Sequence, residues 1–87
     1  MPINIDLAMM ALEGLTRNPV SIESEDDEIA IEASSEGIRE LARLLLLVGS
    51  DDAAPGEEIT LEPGLHSSAG SPRLRVRRAG ETPVVIQ

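Results

Sequence analysis

Apolar residues recur along this chain with two different periods, and the places where the period changes mark out its elements. In VSIES, Val20 and Ile22 alternate with Ser21 and Glu23; in EIAIEA, Ile29, Ile31 and Ala33 alternate with Ala30 and Glu32. A repeat of two is the pattern of half-buried strands. Glu25, Asp26 and Asp27 make a connection of hairpin length, so a first β-hairpin is predicted with Ile29 and Ile31 turned inward. From Ser34 the rhythm becomes helical. At about 100° per residue, Ile38, Leu41, Ala42, Leu44, Leu45 and Val48 fall on one arc, with Arg39, Glu40 and Arg43 opposite. Ser34 and Ser35 offer capping hydroxyls, Glu36 places a negative charge in the first turn, and Gly49 stands where a left-handed terminating residue is wanted. The spacing predicts a helix over residues 35–48 with one face on a sheet.

The alternation returns in EEITLEP and RLRVRR, with Ile59 and Leu61 on one strand and Leu74 and Val76 on the other pointing inward. The outward sets are Glu58, Thr60 and Glu62 against Arg73, Arg75 and Arg77, so antiparallel pairing sets acids opposite arginines and helps to fix the register. The link PGLHSSAGSP is rich in Gly, Pro and Ser and reads as a mobile surface loop, with His66 solvated in its middle. Residues 1–18 form an N-terminal extension that is a short helix or a strand. Ile3, Ile5 and Leu7 alternate, yet Asp6 is placed to cap a helix through LAMMALE ended by Gly14, and the helix is the preferred reading. Asn18-Pro19 then breaks the chain before the first clear strand.

These elements give an α+β fold. Residues 19–87 form a single ββαββ domain, two hairpins flanking one amphipathic helix that packs on a four-stranded sheet, with an N-terminal element beside it. Leu46 and Leu47 lie off the helix's apolar arc and need a second partner. Either the N-terminal segment or a Val84-Val85-Ile86 strand folds over them, or they make a dimer or partner contact.

Composition narrows what such a fold can do. The chain has 87 residues and no Phe, Tyr or Trp, so aliphatic packing alone carries a small core. Self-association that hides further surface, as a homodimer, is therefore expected. The absence of cysteine removes disulfides, thiolate chemistry and the common zinc-finger spacings, and fits a reducing cytoplasm. MPINIDLAMMALEGL lacks the basic start of a signal peptide, and no apolar run approaches the roughly 20 residues of a membrane span.

Charge is the most distinctive bulk property. The net charge is −9, and residues 20–62 hold thirteen acids against Arg39 and Arg43 alone. Such a field repels phosphate backbones and acidic lipids and speeds encounter with a basic protein. Nucleic acid and membrane are thereby disfavoured as partners. No catalytic constellation is legible: the single histidine stands alone in a loop, and lysine and cysteine are absent. Phosphate-cradling glycine motifs and the calcium-binding EF-hand spacing are also missing. The reading is a non-enzymatic domain without cofactor or metal.

The segment EDDEIAIEASSEGIRELARLLLLV, residues 25–48, resembles the small bacterial proteins of immunity protein family 32. The features that carry the resemblance are an acidic turn, an I-x-I strand at Ile29 and Ile31, a small-residue cap at Ser34 and Ser35, EGIRELA from Glu36 to Ala42, and the leucine run from Leu44 to Leu47. GEEITLEP supplies the next strand. The resemblance implies a role in polymorphic toxin systems, where an immunity protein binds and blocks a cognate toxin. On this reading Glu25, Asp26, Asp27 and Glu28, with Asp51 and Asp52, form an acidic edge for a basic toxin. Leu46 and Leu47 are the candidate dimer contact. The alternative is a homodimeric structural or regulatory module, in which the acids only maintain solubility.

Overall fold

A computed structural model describes residues 5–51 and 53–80. The elements run α1 (Ile5–Arg17), β1 (Ser21–Glu25), β2 (Glu28–Glu32), α2 (Ser35–Val48), β3 (Glu58–Leu61) and β4 (Leu74–Arg77). The class is α+β, but the expected ββαββ architecture with a four-stranded sheet is not formed: β1–β2 and β3–β4 are two separate antiparallel ribbons. On the β1 side the cause is visible at its outer edge. The Val20 N–H donates to the His66 carbonyl at 3.2 Å, and the Val20 carbonyl accepts from the Ser68 N–H at 2.8 Å. The Ile22 N–H donates to Ser71 Oγ at 2.9 Å. The link between β3 and β4 thus takes the backbone groups that another strand would need, and a strand edge accommodates one neighbour.

The same bonds correct the expectation of a mobile loop over residues 63–72. The Glu62 carbonyl accepts from the N–H groups of Leu65 and His66 at 3.1 and 3.0 Å, and the Ser68 and Ser71 hydroxyls lie 2.8 Å apart. Ser67 and Ser71 are buried. Gly, Pro and Ser favour turns, but serine hydroxyls also bond backbone, and here the Ser71 hydroxyl, with the backbone of His66 and Ser68, fastens the loop to the first ribbon.

α1 passes through Gly14, where the sequence placed its end, and continues to Arg17. Gly14 is buried because Glu40 of α2 lies against it, in the space a Cβ would fill. A Cβ on Gly37 would stand 2.8 Å from the backbone carbonyl of Asn18, so α2 starts in direct contact with the end of α1. Close approach explains both glycines, and at Gly14 it replaces the expected termination.

α2 has the expected bounds, and Ser34 caps it by accepting from the Gly37 N–H at 3.1 Å. Its C-terminal end differs from expectation. Gly49 sits at φ −88°, outside the left-handed region, and continues the turn by donating to the Leu45 carbonyl. The buried stripe is Gly37, Leu41, Leu44 and Val48, while Ile38, Ala42 and Leu45 from the predicted arc are exposed. The helix is rolled toward α1, which half-covers Leu47; Leu46 stays 73% exposed. A second helix took the place assigned to a sheet.

The core gathers Ala11 and Leu15 of α1, Val20 and Ile22 at the base of the first hairpin, the α2 stripe, and Ile59 and Leu61 of β3. Burying such side chains supplies about 1.5 to 3 kcal/mol each. Ile29 and Ile31, expected inside, are 70% and 41% exposed. The predicted strand at Val84, Val85 and Ile86 lies outside the described residues.

Candidate protein-binding surface

Antiparallel pairing of β1 and β2 sets Ser21 opposite Glu32, Glu23 opposite Ala30 and Glu25 opposite Glu28 on one face, with Ile22 opposite Ile31 and Ser24 opposite Ile29 on the other. Side chains alternate between faces, so Glu23, Glu25, Glu28 and Glu32 all project from the same side. Asp26 and Asp27 form the two-residue turn, with Asp26 at φ +51°. Aspartate is among the few residues with a side chain that enter this region readily. Four of the predicted site residues, Glu25, Asp26, Asp27 and Glu28, are therefore gathered at one hairpin tip, all exposed. Among the described residues none of these carboxylates forms an ion pair.

Glu23 and Glu32 belong to the same acidic face and were not singled out from the sequence. Their signal was present in the alternation, since Glu23 shares parity with Glu25, and Glu32 with Glu28. Asp51 follows the far end of α2, whose 14 residues span about 21 Å, and it joins no part of the acidic face in these contacts. Asp52 lies outside the described residues.

The second hairpin carries the opposite arrangement. Glu58 pairs in register with Arg77 and Thr60 with Arg75, and ion pairs join Arg77 to Glu58 at 3.0 Å and Arg73 to Glu62 at 3.2 Å. Arg78 donates through its guanidinium to the Ser50 carbonyl just beyond α2, where a cation is favoured by the helix dipole. Three of the four C-terminal arginines are thus engaged within the molecule. This is the pairing expected from the outward sets, and it leaves little of a free basic patch.

His66 is not the solvated loop residue that the sequence indicated. Its Nδ1 accepts from the Glu62 N–H at 3.2 Å. Partial burial lowers its pKa below the usual imidazole value, opposed by the nearby Glu62 carboxylate. A neutral ring is needed for the acceptor role, so the larger effect, burial, agrees with the geometry, while the Glu62 charge works against it.

A second surface lies between the helices. Leu7, Met10, Leu46 and Leu47 line a groove of about 610 Å3, with Arg17, Glu40 and Arg43 at its border and Glu40 ion-paired to Arg43. The candidate contact pair is split by this geometry: Leu46 is open, whereas Leu47 packs partly on the core. Among the described residues no three His, Asp or Glu side chains gather in a way that would hold a metal ion. No described helix is long and apolar enough to cross a membrane. No family model, curated protein or solved structure matches the chain.

Proposed function

We propose that this chain is a non-enzymatic binding domain that engages a basic protein through the β1–β2 hairpin. The specific form implied by its resemblance to the immunity proteins is neutralisation of a cognate toxin. One observation carries this reading: Glu23, Glu25, Glu28 and Glu32 share a face, continue into Asp26 and Asp27, and form no ion pair among the described residues. Like charges opposite one another weaken a hairpin, so the arrangement costs the fold some stability and gains value when a basic surface arrives. The contribution is chiefly to encounter rate and partner choice, and it weakens with salt. The test is binding to the basic protein encoded next to it. With Glu25, Asp26, Asp27 and Glu28 changed to Gln and Asn, association slows by at least tenfold; unchanged association would remove the acidic-face mechanism.

A second reading is favoured by the exposure of Leu46, which is 73% open on a groove shared with Leu7 and Met10. Here two copies join through their helical faces, as the homodimeric module. Light scattering across a concentration series separates the two: dimerisation abolished by Leu46→Glu supports this reading, and a monomer at every concentration ends it.

A further inference from the structure

The two ribbons carry nearly the same strand. Residues 28–32 read Glu-Ile-Ala-Ile-Glu and residues 58–62 read Glu-Ile-Thr-Leu-Glu. The second of these is paired. Its partner, residues 73–77, reads Arg-Leu-Arg-Val-Arg, with Glu58 opposite Arg77, Ile59 opposite Val76 and Leu61 opposite Leu74. The first is paired too, but with β1, Ser-Ile-Glu-Ser-Glu, which brings no arginine to its acids.

The other edge of β2 is bare, as the hydrogen-bond parity shows. In an antiparallel strand the N–H and C=O of one residue point to the same side and alternate from residue to residue. Val20 and Ile22 direct theirs toward residues 66–71, away from β2. Ser21, Glu23 and Glu25 therefore face β2 and close the ladder with Glu32, Ala30 and Glu28. Ile29 and Ile31 must then direct their backbone groups outward, where none has a partner among the described residues. Their side chains are exposed as well, at 70% and 41%. An exposed edge of this kind is a template for another strand.

We propose that β2 takes up an extended strand of a partner protein along this edge, and that the incoming strand alternates Arg or Lys with aliphatic residues in the manner of β4. This rests on the acidic-face reading and specifies how the basic partner is held. A cation opposite Glu28 and another opposite Glu32 would match the arrangement seen at Glu58 with Arg77 and Glu62 with Arg73, and aliphatic residues would fall opposite Ile29 and Ile31. The charges also argue against a second β2 as the occupant. Two antiparallel β2 strands centred on Ala30 would place each Glu28 against the other copy's Glu32.

The probe is a capped peptide, Arg-Leu-Arg-Val-Arg, titrated into the full chain labelled with 15N. The expected result is chemical-shift change centred on residues 28–32, with slowed exchange of the Ile29 and Ile31 amides. N-methylation at the peptide's Leu and Val keeps charge and apolar area but removes the ladder, and weakens binding by about tenfold or more. Ile29→Pro, which deletes an outward N–H while leaving the bonds to β1 in place, has the same effect. Equal binding of the methylated peptide, shifts centred elsewhere, or no binding at millimolar peptide each overturn strand addition. So does self-association in which β4 of a second copy occupies the edge. If the natural basic partner is lost on neutralising the four tip acids but is indifferent to Ile29→Pro, strand addition fails while the acidic-face reading stands. If that partner is indifferent to both, the proposed function and strand addition fail together.

Discussion

The two hairpins are built from similar strands and have opposite fates. In β3–β4 the aliphatic face closes on the core, with Leu61 fully buried, and the polar face neutralises itself through acid–arginine pairs. In β1–β2 the aliphatic face is covered at Ile22 and then opens toward the tip, and the charged residues of the polar face are all acids. A strand pattern thus specifies which residues share a face, but not whether anything covers it. The first ribbon is held at its base by residues 66–71 and by Ile22. The second lies against α2 and contributes Ile59 and Leu61 to the core. The second hairpin thus pairs most of its charges and buries its aliphatic residues in the core, while the first leaves both its tip acids and Ile29 and Ile31 open.

The comparison is broken most directly by cutting equivalent aliphatic side chains. Leu61→Ala should cost about 2 to 5 kcal/mol by leaving a cavity, measured as a fall in the denaturation midpoint. Ile29→Ala should change stability by no more than about 0.5 kcal/mol, because its side chain is already in water. Equal losses at the two positions would mean that Ile29 is covered and that the first ribbon is no free surface.

pH separates the base of the hairpins from their tips. Because partial burial lowers the His66 pKa below 6.5 in the folded state, the unfolded chain binds the proton first as pH falls. The contribution of neutral His66 is fully present above about pH 6.5. It is lost as pH falls from there toward the lowered value, so stability rises with pH through that window. His66→Gln should flatten this segment of the stability–pH curve while leaving the rest intact.

Charge substitutions sharpen the contrast with smaller effects. Arg77→Gln should cost about 0.2 to 1 kcal/mol by leaving Glu58 unpaired on a largely exposed face. Glu28→Gln, which relieves Glu25 across the first hairpin, should be neutral or stabilising by a few tenths of a kcal/mol, and added salt should shrink that gain. A clear destabilisation by Glu28→Gln would mean that the tip acids have partners. The smallest change is Ser67→Ala at the loop that joins the ribbons. Its hydroxyl is buried without a hydrogen-bond partner among the described residues, so removal should be neutral or stabilising by thermal denaturation.

Particular residues show how far the sequence carried. The bounds of α2 and its Ser34 cap were legible because helical spacing and a capping hydroxyl are local signals. The turn acids were legible as a cluster, and the extension of their face through Glu23 and Glu32 was implicit in the alternation. Gly14 misled because a glycine that ends a helix and a glycine that admits a neighbouring helix look alike in one dimension. The loop carrying Ser68 and Ser71 misled for the same reason, since serines that solvate a turn and serines that fasten it to a strand are indistinguishable until their partners are known.

The amino-acid sequence by itself determined the local elements, the register that sets Glu58 opposite Arg77, and the gathering of acids on one turn. Each depends on residues close in the chain or on pattern matching between two strands. Tertiary structure alone decided that α2 would roll onto α1 and that residues 66–71, rather than another strand, would close the edge of β1. Tertiary structure likewise left Ile29 and Ile31 open. The physical reason is that a hydrogen-bonding edge or an apolar face accepts any partner of suitable shape, and which one reaches it first is settled by the whole chain's packing.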